Sequence, residues 1–441
     1  MEFSEFILAH DGDELGRLAL ARERYAPDFP DFDLALTTLE CRRKLRAKVP
    51  EWTAVPSLRF PLRLSAEQCS STETARYKAA VALAALASAG TAGGAKMAEN
   101  APKCSCRVPF RLADLTGGLG VDSWAFAEVF EQVLYNELRP ELAAAAQHNF
   151  KELGINNITV RNFALVPQSM EGRMEQSGKV IPGGASVSHI LGDFRPDVIF
   201  LDPARRAADG RKVFRLEDCQ PDVLQLLPEL LAACPHVLLK LSPMADITLV
   251  CKQLSCVKEV HVVAAEGECK ELLLLLERGY DNPHRRFVYE NGSVLDLSGS
   301  WGGHRLQDVT PAAGMDGFEP GKVLFEPGKG LLKAGAFDWP CRYGLEKLGR
   351  HTHLYIGPEV PEGLAPFGNR FRILETLPLN NRTIKEIGKR YPQASVTARN
   401  IPLTSDELRR KLGVKDGGGV HLFGVHSDSH QANLLLVCTG A

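Results

Sequence analysis

The sequence predicts an α/β protein with a mostly parallel, nucleotide-binding type of sheet, preceded by a helical region and followed by α+β modules. Residues 107–150 give the clearest sign of this fold. An apolar run ends at Asp114, a glycine-rich turn and a helical spacing follow, and a second apolar run ends at Glu137. That order is typical of the first strand, turn, helix and strand of a nucleotide-binding unit. Two later apolar runs, at 197–201 and 236–241, also end at polar residues and predict further strands of the same sheet.

The composition limits the classes of protein to which the chain can belong. Its 441 residues are long enough for two to four domains. The formal net charge of -2 means that affinity for nucleic acid must come from local basic surfaces. No apolar run is long enough to span a membrane, and the acidic N-terminus differs from a signal peptide. The eleven cysteines are irregularly spaced, which argues against a disulfide framework and predicts that the protein works in the reducing cytoplasm. Cys104 and Cys106 have no second pair at zinc-site spacing, so no bound metal is expected.

Residues 1–95 are predicted to form a mostly helical region. Apolar residues recur at helical spacing from Phe3 onward, and the stretch ALTTLECRRKLRAKV continues the pattern up to Pro50. The basic end of this helix is either a solvated face or an RNA contact. Its basic residues are Lys44, Arg46 and Lys48. A second, alanine-rich helix follows and begins with possible capping residues. Those residues are Ser70, Ser71 and Thr72.

The turn after Asp114 is predicted to hold a nucleotide. Its glycines are Gly117, Gly118 and Gly120. Glycines allow the backbone to approach a ligand closely, and the following helix offers its N-terminal amides to polar groups. An acid at the end of the second strand, Glu137, can accept hydrogen bonds from both hydroxyls of a ribose. A dinucleotide fingerprint requires a third glycine, but Ser123 stands there. A ligand other than a dinucleotide is therefore favoured.

The acid, the glycine turn and the second acid resemble the S-adenosylmethionine (SAM) site of class I methyltransferases. The family pattern D-x-G-x-G-x-G matches Asp114, Thr116, Gly118 and Gly120, with threonine in place of the first glycine. The run DLTGGLGVDSWAF also resembles one motif of ribosomal-RNA guanine-N2 methyltransferases. The resemblance implies that SAM lies over the turn, with its amino-acid end near Asp114 and its ribose on Glu137. It further implies that Asn162 and Phe163 lie beside the adenine, and that Tyr77 and Lys78 close the pocket.

The fourth strand ends in the sequence DPARR, at the edge of the sheet where α/β proteins bind their ligands. In related methyltransferases this position carries D/N-P-P-Y and faces the methyl donor. The resemblance implies that Asp202 also borders the bound SAM, and that Asp202, Pro203 and Arg205 position the acceptor. The aromatic residue that stacks on a flipped base is missing here. Arg205 and Arg206 instead bind a phosphate, stack on a base or form surface salt bridges. Strand five ends at Lys240 and Ser242, which are expected to line the same cleft and contact the substrate.

Two other segments of this region carry predictions. Residues 167–189 are polar and rich in glycine, which predicts an inserted surface loop without fixed structure. Residues 257–277 predict a pair of strands that ends the domain, with Cys269 near the turn. Methylation of pyrimidine carbon 5 needs a thiolate nucleophile, whereas a thiol in a strand is commonly structural. Both roles are open for Cys269.

Beyond residue 280 the pattern becomes α+β. RFVYENGSVL and KVLFEP are predicted strands, CRYGLEKLG is a predicted helix, and a last module begins near residue 366. Between 370 and 415 eleven basic residues stand among four acids. That excess suits phosphate binding, although a soluble surface can have the same composition.

Taken together, the chain resembles a bacterial group of class I SAM-dependent methyltransferases that carry a ferredoxin-like module and a C-terminal THUMP-like domain. The matching stretches include EQCSSTETARYKA, ADLTGGLGVDSWAF, DVIFLDPARR, LLKLSPMADI, GECKELL, EPGKGLLKAGAF and TARNIPLTSDELRRKLGVKDGGGVHLFG. The resemblance implies a Rossmann-like class I methyltransferase sheet. The predicted domains are an N-terminal helical region (1–95), a SAM-dependent methyltransferase domain (96–280), a ferredoxin-like α+β module (281–365) and a THUMP-like domain (366–441).

The resemblance also implies a function. THUMP domains in relatives bind structured RNA, so the expected activity is SAM-dependent methylation of a base in tRNA or rRNA. Methylation of a protein or a small molecule is one alternative. Another is a non-catalytic RNA-binding protein that retains SAM. The target atom and the oligomeric state stay open.

Overall fold

A computed structural model describes residues 2–87, 108–171, 184–205, 215–298 and 319–441. The chain divides into two compact units. Unit 1 comprises residues 1–261 and 271–284, and unit 2 comprises residues 262–270 and 285–441. Arg206 and the middle of the 167–189 segment lie outside the described residues, as do Cys104 and Cys106.

Unit 1 begins with the predicted helical region. Its helices are α1 (Phe3–His10), α2 (Leu15–Leu20), α3 (Arg22–Tyr25), α4 (Phe32–Lys48), α5 (Pro50–Thr53), α6 (Arg63–Gln68) and α7 (Thr72–Leu86). The apolar positions at helical spacing, among them Phe3, Phe6 and Ile7, form a buried core cluster with Phe32 and Leu39. The helical prediction for this region is therefore confirmed. Of the three possible capping residues, Ser71 caps α7, because its hydroxyl accepts a hydrogen bond from the backbone N–H of Thr74.

The strands and helices of the α/β region follow. The strands are β1 (Val108–Asp114), β2 (Phe130–Asn136), β3 (Ile158–Arg161), β4 (Ala164–Leu165), β5 (Gly184–Ala185), β6 (Val198–Leu201), β7 (Ala204–Arg205), β8 (Cys219–Gln220), β9 (His236–Leu241), β10 (Val257–Ala265) and β11 (Glu268–Glu277). The helices are α8 (Val121–Val129), α9 (Pro140–Glu152), α10 (Val187–Leu191), α11 (Val223–Ala233) and α12 (Ile247–Gln253), with short 3-10 turns at Gln168–Met170 and Leu216–Asp218.

The main sheet has the strand order β3-β2-β1-β6-β9-β11-β10. Strands β3, β2, β1, β6 and β9 are parallel, and β11 runs antiparallel to β9. All four residues of β6 are buried, as expected for a strand covered by helices on both faces. Because the parallel strands end at the same edge, the residues that follow β1, β2, β6 and β9 are brought together there. This edge carries the candidate site.

The prediction of an unstructured loop at 167–189 is wrong at both of its ends. Residues 168–170 form a 3-10 turn, and 187–189 belong to α10. The short strand β5 pairs with β4 in parallel, and Ser186 caps α10 by accepting a hydrogen bond from the N–H of His189. The glycine and serine at this end, which indicate a loop in the sequence, therefore serve as a strand and a helix cap.

Unit 2 contains two groups of strands with short helices. Its elements are β12 (Arg285–Glu290), β13 (Ser293–Asp296), β14 (Val323–Pro327), α13 (Lys329–Lys333), α14 (Trp339–Arg342), β15 (Glu346–Lys347), β16 (Tyr355–Gly357), β17 (Gly368–Pro378), α15 (Asn381–Arg390), β18 (Ser395–Arg399), α16 (Ser405–Leu412), β19 (Val420–Ser427) and β20 (Ala432–Gly440), with a 3-10 turn at Ala365–Phe367. Strands β12 and β13 pair antiparallel. The second sheet has the order β15-β16-β14-β17-β20-β19-β18.

The helix predicted from CRYGLEKLG is also wrong. Helix α14 ends at Arg342, and Glu346 and Lys347 form strand β15 against β16. Gly344 has a φ of +81°, a left-handed conformation that ends the helix and that glycine adopts at little cost. The spacing of Leu345 and Leu348 imitates a helical face.

No helix within the described ranges is long and apolar enough to cross a membrane.

Gly388 allows α15 to pack closely on the end of α16. A Cβ atom at position 388 would lie 1.9 Å from the backbone carbonyl oxygen of Leu412. Gly388→Ala should therefore lower the free energy of unfolding by about 1–3 kcal/mol, because a backbone atom cannot rotate away. Gly16→Ala is the control, since position 16 lies in α2 with open space around it and alanine favours a helix. Thermal unfolding of both variants tests this, and an equal Tm for the two would contradict it.

Candidate active site

Backbone hydrogen bonds and the packing of Tyr135 fix the glycine-rich turn between β1 and α8. The N–H of Gly117 donates to the carbonyl of Asn136 at 2.7 Å, and the N–H of Gly120 donates to the carbonyl of Gly117 at 2.9 Å. Gly118 and Gly120 have φ values of +56° and +94°, which favour glycine. A Cβ atom on Gly117 would lie 2.1 Å from the buried ring of Tyr135. The turn therefore has no room for side chains at its base.

Asp114 ends β1 and is buried below this turn. Its carboxyl group accepts hydrogen bonds from the hydroxyl of Ser123 at 2.6 Å and from the N–H of Thr116 at 3.1 Å. Burial raises the pKa of Asp114 to about 8, although the hydrogen bond from Ser123 acts in the opposite direction. Asp114 thus holds a proton at neutral pH unless a cation is bound beside it.

Glu137 follows β2 and binds the backbone of the turn. Its two carboxylate oxygens accept hydrogen bonds from the N–H groups of Gly118 and Arg139, each at 2.9 Å. Burial raises the pKa of Glu137, whereas these two N–H groups lower it. Each carboxylate oxygen has a second lone pair, so Glu137 can still accept hydrogen bonds from a ligand.

Asn162 and Phe163 are fixed next to the end of β2. The amide of Asn162 donates to the carbonyls of Glu137 and Leu138 at 2.6 and 3.1 Å. Phe163 is half-buried, and its ring lies 5.4 Å from the ring of His189, edge to face. The structure thus fixes Asn162 against Glu137, and the N–H of Phe163 donates to the side chain of Asn136 at 3.1 Å.

Asp202 and Pro203 follow β6 at the same edge of the sheet, where Thr116 contacts Asp202. The N–H of Asp202 donates to the hydroxyl of Thr116 at 2.6 Å, and Pro203 is buried. Threonine at the first glycine position of the motif therefore links the turn to the Asp202 loop, a role that glycine could not fill. Arg205 belongs to β7, which pairs with β8.

Lys240 at the end of β9 is bound to Asp202. Its ammonium group donates to Oδ2 of Asp202 at 2.5 Å and lies 3.7 Å from Oε2 of Glu271. Burial alone would lower the pKa of Lys240, but the charges of Asp202 and Glu271 raise it above its usual value. Lys240 is thus a charged, enclosed partner of Asp202 rather than an open cleft residue. The hydroxyl of Ser242 accepts a hydrogen bond from the N–H of Met244 at 3.2 Å.

Sequence reasoning missed Glu271 and Asp122, which lie behind Lys240, and it singled out Lys78 only as a residue that closes the pocket, whereas the side chain of Lys78 is fully buried. Lys78 donates to Glu271 at 2.7 Å and to Ser70 at 2.9 Å, and it lies 3.2 Å from Asp122. In the sequence, Glu271 stands out only as a charged residue directly before a run of five leucines. Tyr77, predicted to close the pocket, instead has its hydroxyl 2.7 Å from Nδ1 of His261.

Two family models match unit 2. A model described as THUMP domain-like matches residues 368–440, and a ferredoxin-like domain model matches residues 324–363. The predictions of THUMP-like and ferredoxin-like domains are confirmed by these matches.

A crystal structure and a curated sequence extend the comparison. The structure of a candidate methyltransferase from Porphyromonas gingivalis W83 covers 100% of this chain and 97% of its own, at 28% identity and a TM-score of 0.76. A tRNA/tmRNA (uracil-C(5))-methyltransferase of Vibrio cholerae serotype O1 is 31% identical over 140 residues. That match spans 30% of this chain and 37% of the length of the relative. The predicted fold class, a Rossmann-like methyltransferase sheet with a helical N-terminal region and a C-terminal α+β part, is confirmed.

Proposed function

We propose that this chain, in which a class I methyltransferase fold precedes ferredoxin-like and THUMP-like domains, is a SAM-dependent methyltransferase that acts on a base in tRNA or rRNA. The main support is the meeting of Asp114, Glu137 and the Asp202–Pro203 loop at one edge of the sheet. The name of the Vibrio cholerae relative and the THUMP-like match support an RNA substrate. A substrate of this kind places the activity in the cytoplasm. Transfer of labelled methyl groups to RNA is the direct test.

The residues present fit SAM. The turn after Thr116 carries three glycines, Gly117, Gly118 and Gly120, so its backbone can approach a ligand closely. Asp114 would bind the ammonium group, Glu137 the ribose hydroxyls, and Asn162 and Phe163 would flank the adenine. When bound, SAM supplies a methyl group that its sulfonium already activates.

The protein would contribute mainly orientation to the transfer. Asp202 would accept a hydrogen bond from the acceptor, while Pro203 restricts the loop. Arg205 and Arg206 would hold a phosphate or stack on the base. Ser242 would complete the acceptor side of the site, with Lys240 behind Asp202. In this arrangement the residues at the ends of β1 and β2 form the donor side of the site, which binds SAM. The residues at the ends of β6 and β9 form the acceptor side, which holds the atom to be methylated.

We infer further that the acceptor is a nitrogen or oxygen atom rather than carbon 5 of a pyrimidine. Carbon 5 chemistry needs a thiolate that adds to the ring. Cys219 pairs with Arg205 across β7 and β8, and burial raises the pKa of its thiol to about 12. Burial likewise raises the pKa of Cys69 to about 11. Both thiols, which lie in the described part of the chain, are therefore neutral at physiological pH.

The affinity for SAM should depend on pH through Asp114. Its carboxyl, with a pKa of about 8 in the free protein, must lose a proton before it can pair with an ammonium group. Below that pKa, affinity should fall about tenfold for each unit of pH. Calorimetric titration at several pH values, in buffers of different ionisation enthalpy, would detect the released proton. Affinity that does not change between pH 6 and 8 in the wild type would contradict this role, and Asp114→Asn should give a flat profile.

One face of α15 is the proposed RNA contact. Arg382, Lys385 and Lys389 are exposed and follow one another at helical spacing, whereas Thr383, Ile384 and Ile387 on the other side are buried. Three other basic residues of the module form ion pairs with acids. These pairs are Arg390 with Glu375, Arg399 with Glu326 and Arg409 with Asp406.

Reversing the charge of this face should weaken RNA binding. The triple variant Arg382→Glu, Lys385→Glu and Lys389→Glu should raise the Kd for tRNA at least about tenfold and flatten its salt dependence by about two in log–log slope. The triple variant Arg382→Lys, Lys385→Arg and Lys389→Arg keeps the charge and should keep the slope. Titrations across a salt series measure both. An unchanged slope after charge reversal would place the RNA elsewhere and favour a protein or small-molecule acceptor if no other RNA surface is found.

A further inference from the structure

A chain of alternating charges runs from the acceptor loop into the interior of unit 1. Lys240 bridges Asp202 and Glu271, and Glu271 in turn binds Lys78, which lies against Asp122. We propose that Lys240, Glu271 and Lys78 are positioning residues that hold the Asp202 carboxylate in the orientation required for methyl transfer. The inference rests on the proposed role of Asp202.

The exposed fractions of the side chains show which residue of the network is accessible to solvent. The side chains of Lys78 and Glu271 are 0% and 5% exposed, and that of Lys240 is 12% exposed. Asp202 is 37% exposed. The network therefore reaches the surface at the residue that would contact the acceptor, and its other charges lie behind it.

Stability alone does not account for this arrangement. Taking several charges out of water is costly, and well-packed apolar residues of similar volume often stabilise a fold as well or better. The members also come from four separate elements, α7, α8, β9 and β11, in addition to the loop after β6. A network anchored in four elements can hold the side chain of Asp202 in one orientation.

Asp202 is held at both its backbone and its side chain. Its N–H donates to Thr116 of the glycine-rich turn, and its Oδ2 accepts from Lys240. Asp122, at the far end of the network, lies in the first turn of α8, which begins directly after Gly120. The donor and acceptor sides of the site are thus tied to each other by two routes, one through Thr116 and one through the buried charges. A displacement on the order of 1 Å in such a site can lower the rate of transfer about 100-fold.

The test compares kcat, KM for RNA and the Kd for SAM in variants of the full-length protein. Lys240→Met should lower kcat about 100-fold and Glu271→Gln about tenfold, with the Kd for SAM changed less than about threefold. The matched control is Glu277→Gln. Glu277 also lies on β11 and binds Lys258 at 2.5 Å, but this pair is outside the network. Its kcat should stay within about twofold of wild type.

A charge-specific readout separates positioning from folding. Small alkylammonium ions should restore part of the activity of Lys240→Ala, because they supply the missing cation next to Asp202. If Glu271→Gln unfolds, the double variant Lys78→Met and Glu271→Gln is tested instead. It removes two opposite charges together, and a protein tolerates the loss of a whole buried ion pair better than the loss of one partner. It should fold and still show a reduced kcat.

The outcomes separate the inference from the proposed function. Transfer by wild type, with an unchanged kcat in folded Glu271→Gln or in the folded double variant, overturns the inference and leaves the proposed function intact. A failure of alkylammonium ions to restore any activity to folded Lys240→Ala also counts against it. Absence of transfer by wild type rejects the proposed function and the inference together.

Discussion

Asp202→Ala is expected to abolish methyl transfer, with kcat at least about 1,000-fold lower and the Kd for SAM within about threefold of wild type. The substitution removes the group that would accept a hydrogen bond from the acceptor. Lys240 keeps Glu271 as a counter-charge at 3.7 Å, so the interior of unit 1 should stay folded. Single-turnover transfer and equilibrium SAM binding measure the two effects separately.

The matched variant is Asp202→Asn. It keeps an oxygen that can accept from Lys240 and from an acceptor amine, and it keeps the N–H that donates to Thr116. We expect it to retain a measurable fraction of the activity. If Asp202→Ala lost SAM binding and turnover equally, Asp202 would belong to the cofactor pocket and not to the acceptor side.

Gly117→Ala should abolish SAM binding, with a Kd at least about 100-fold higher, because the overpacked site must shift the turn by an ångström or more. The Cβ would meet Cε2 of Tyr135 at 2.1 Å. Tyr135 cannot retreat, since its side chain is buried and its hydroxyl donates to the carbonyl of Gly118 at 2.7 Å. The same clash should lower the free energy of unfolding by about 1–3 kcal/mol.

Gly154→Ala provides the comparison. Gly154 follows α9 with a φ of +72° and has open space where a Cβ would stand. It should cost only the strain of the left-handed conformation, about 1 kcal/mol, without loss of SAM affinity. Calorimetric SAM titration and thermal unfolding cover both variants. Normal SAM binding by folded Gly117→Ala would show that the turn is not the cofactor site.

The parts of the fold that the sequence predicts are those set by local patterns. Buried strands such as β6 appear as short apolar runs, and the turn after Asp114 appears as glycines in a fixed order. Each of these signals lies within a few residues of the element that it specifies. The ends of parallel strands must meet at one edge, so the amino-acid pattern by itself places Asp114, Glu137 and Asp202 near one another.

The contacts within the site could not be predicted in the same way. Lys78 and Glu271 lie 193 positions apart in the chain, and no local pattern relates a lysine in an alanine-rich helix to an acid in an apolar strand. In the motif, Thr116 is visible only as a departure from glycine, whereas in the fold its hydroxyl binds the N–H of Asp202. Side-chain partners of this kind depend on the packing of several elements, which periodicity does not encode.

The most direct test of the proposed activity uses the purified protein and tritium-labelled SAM. Total RNA from a strain lacking this gene is compared with wild-type RNA as the acceptor, since sites in wild-type RNA are already methylated. We predict that label enters only the RNA from the deletion strain, and that Asp202→Ala transfers none. No label in either RNA, with SAM binding by the same preparation verified, would contradict an RNA methyltransferase and turn the search to protein or small-molecule acceptors.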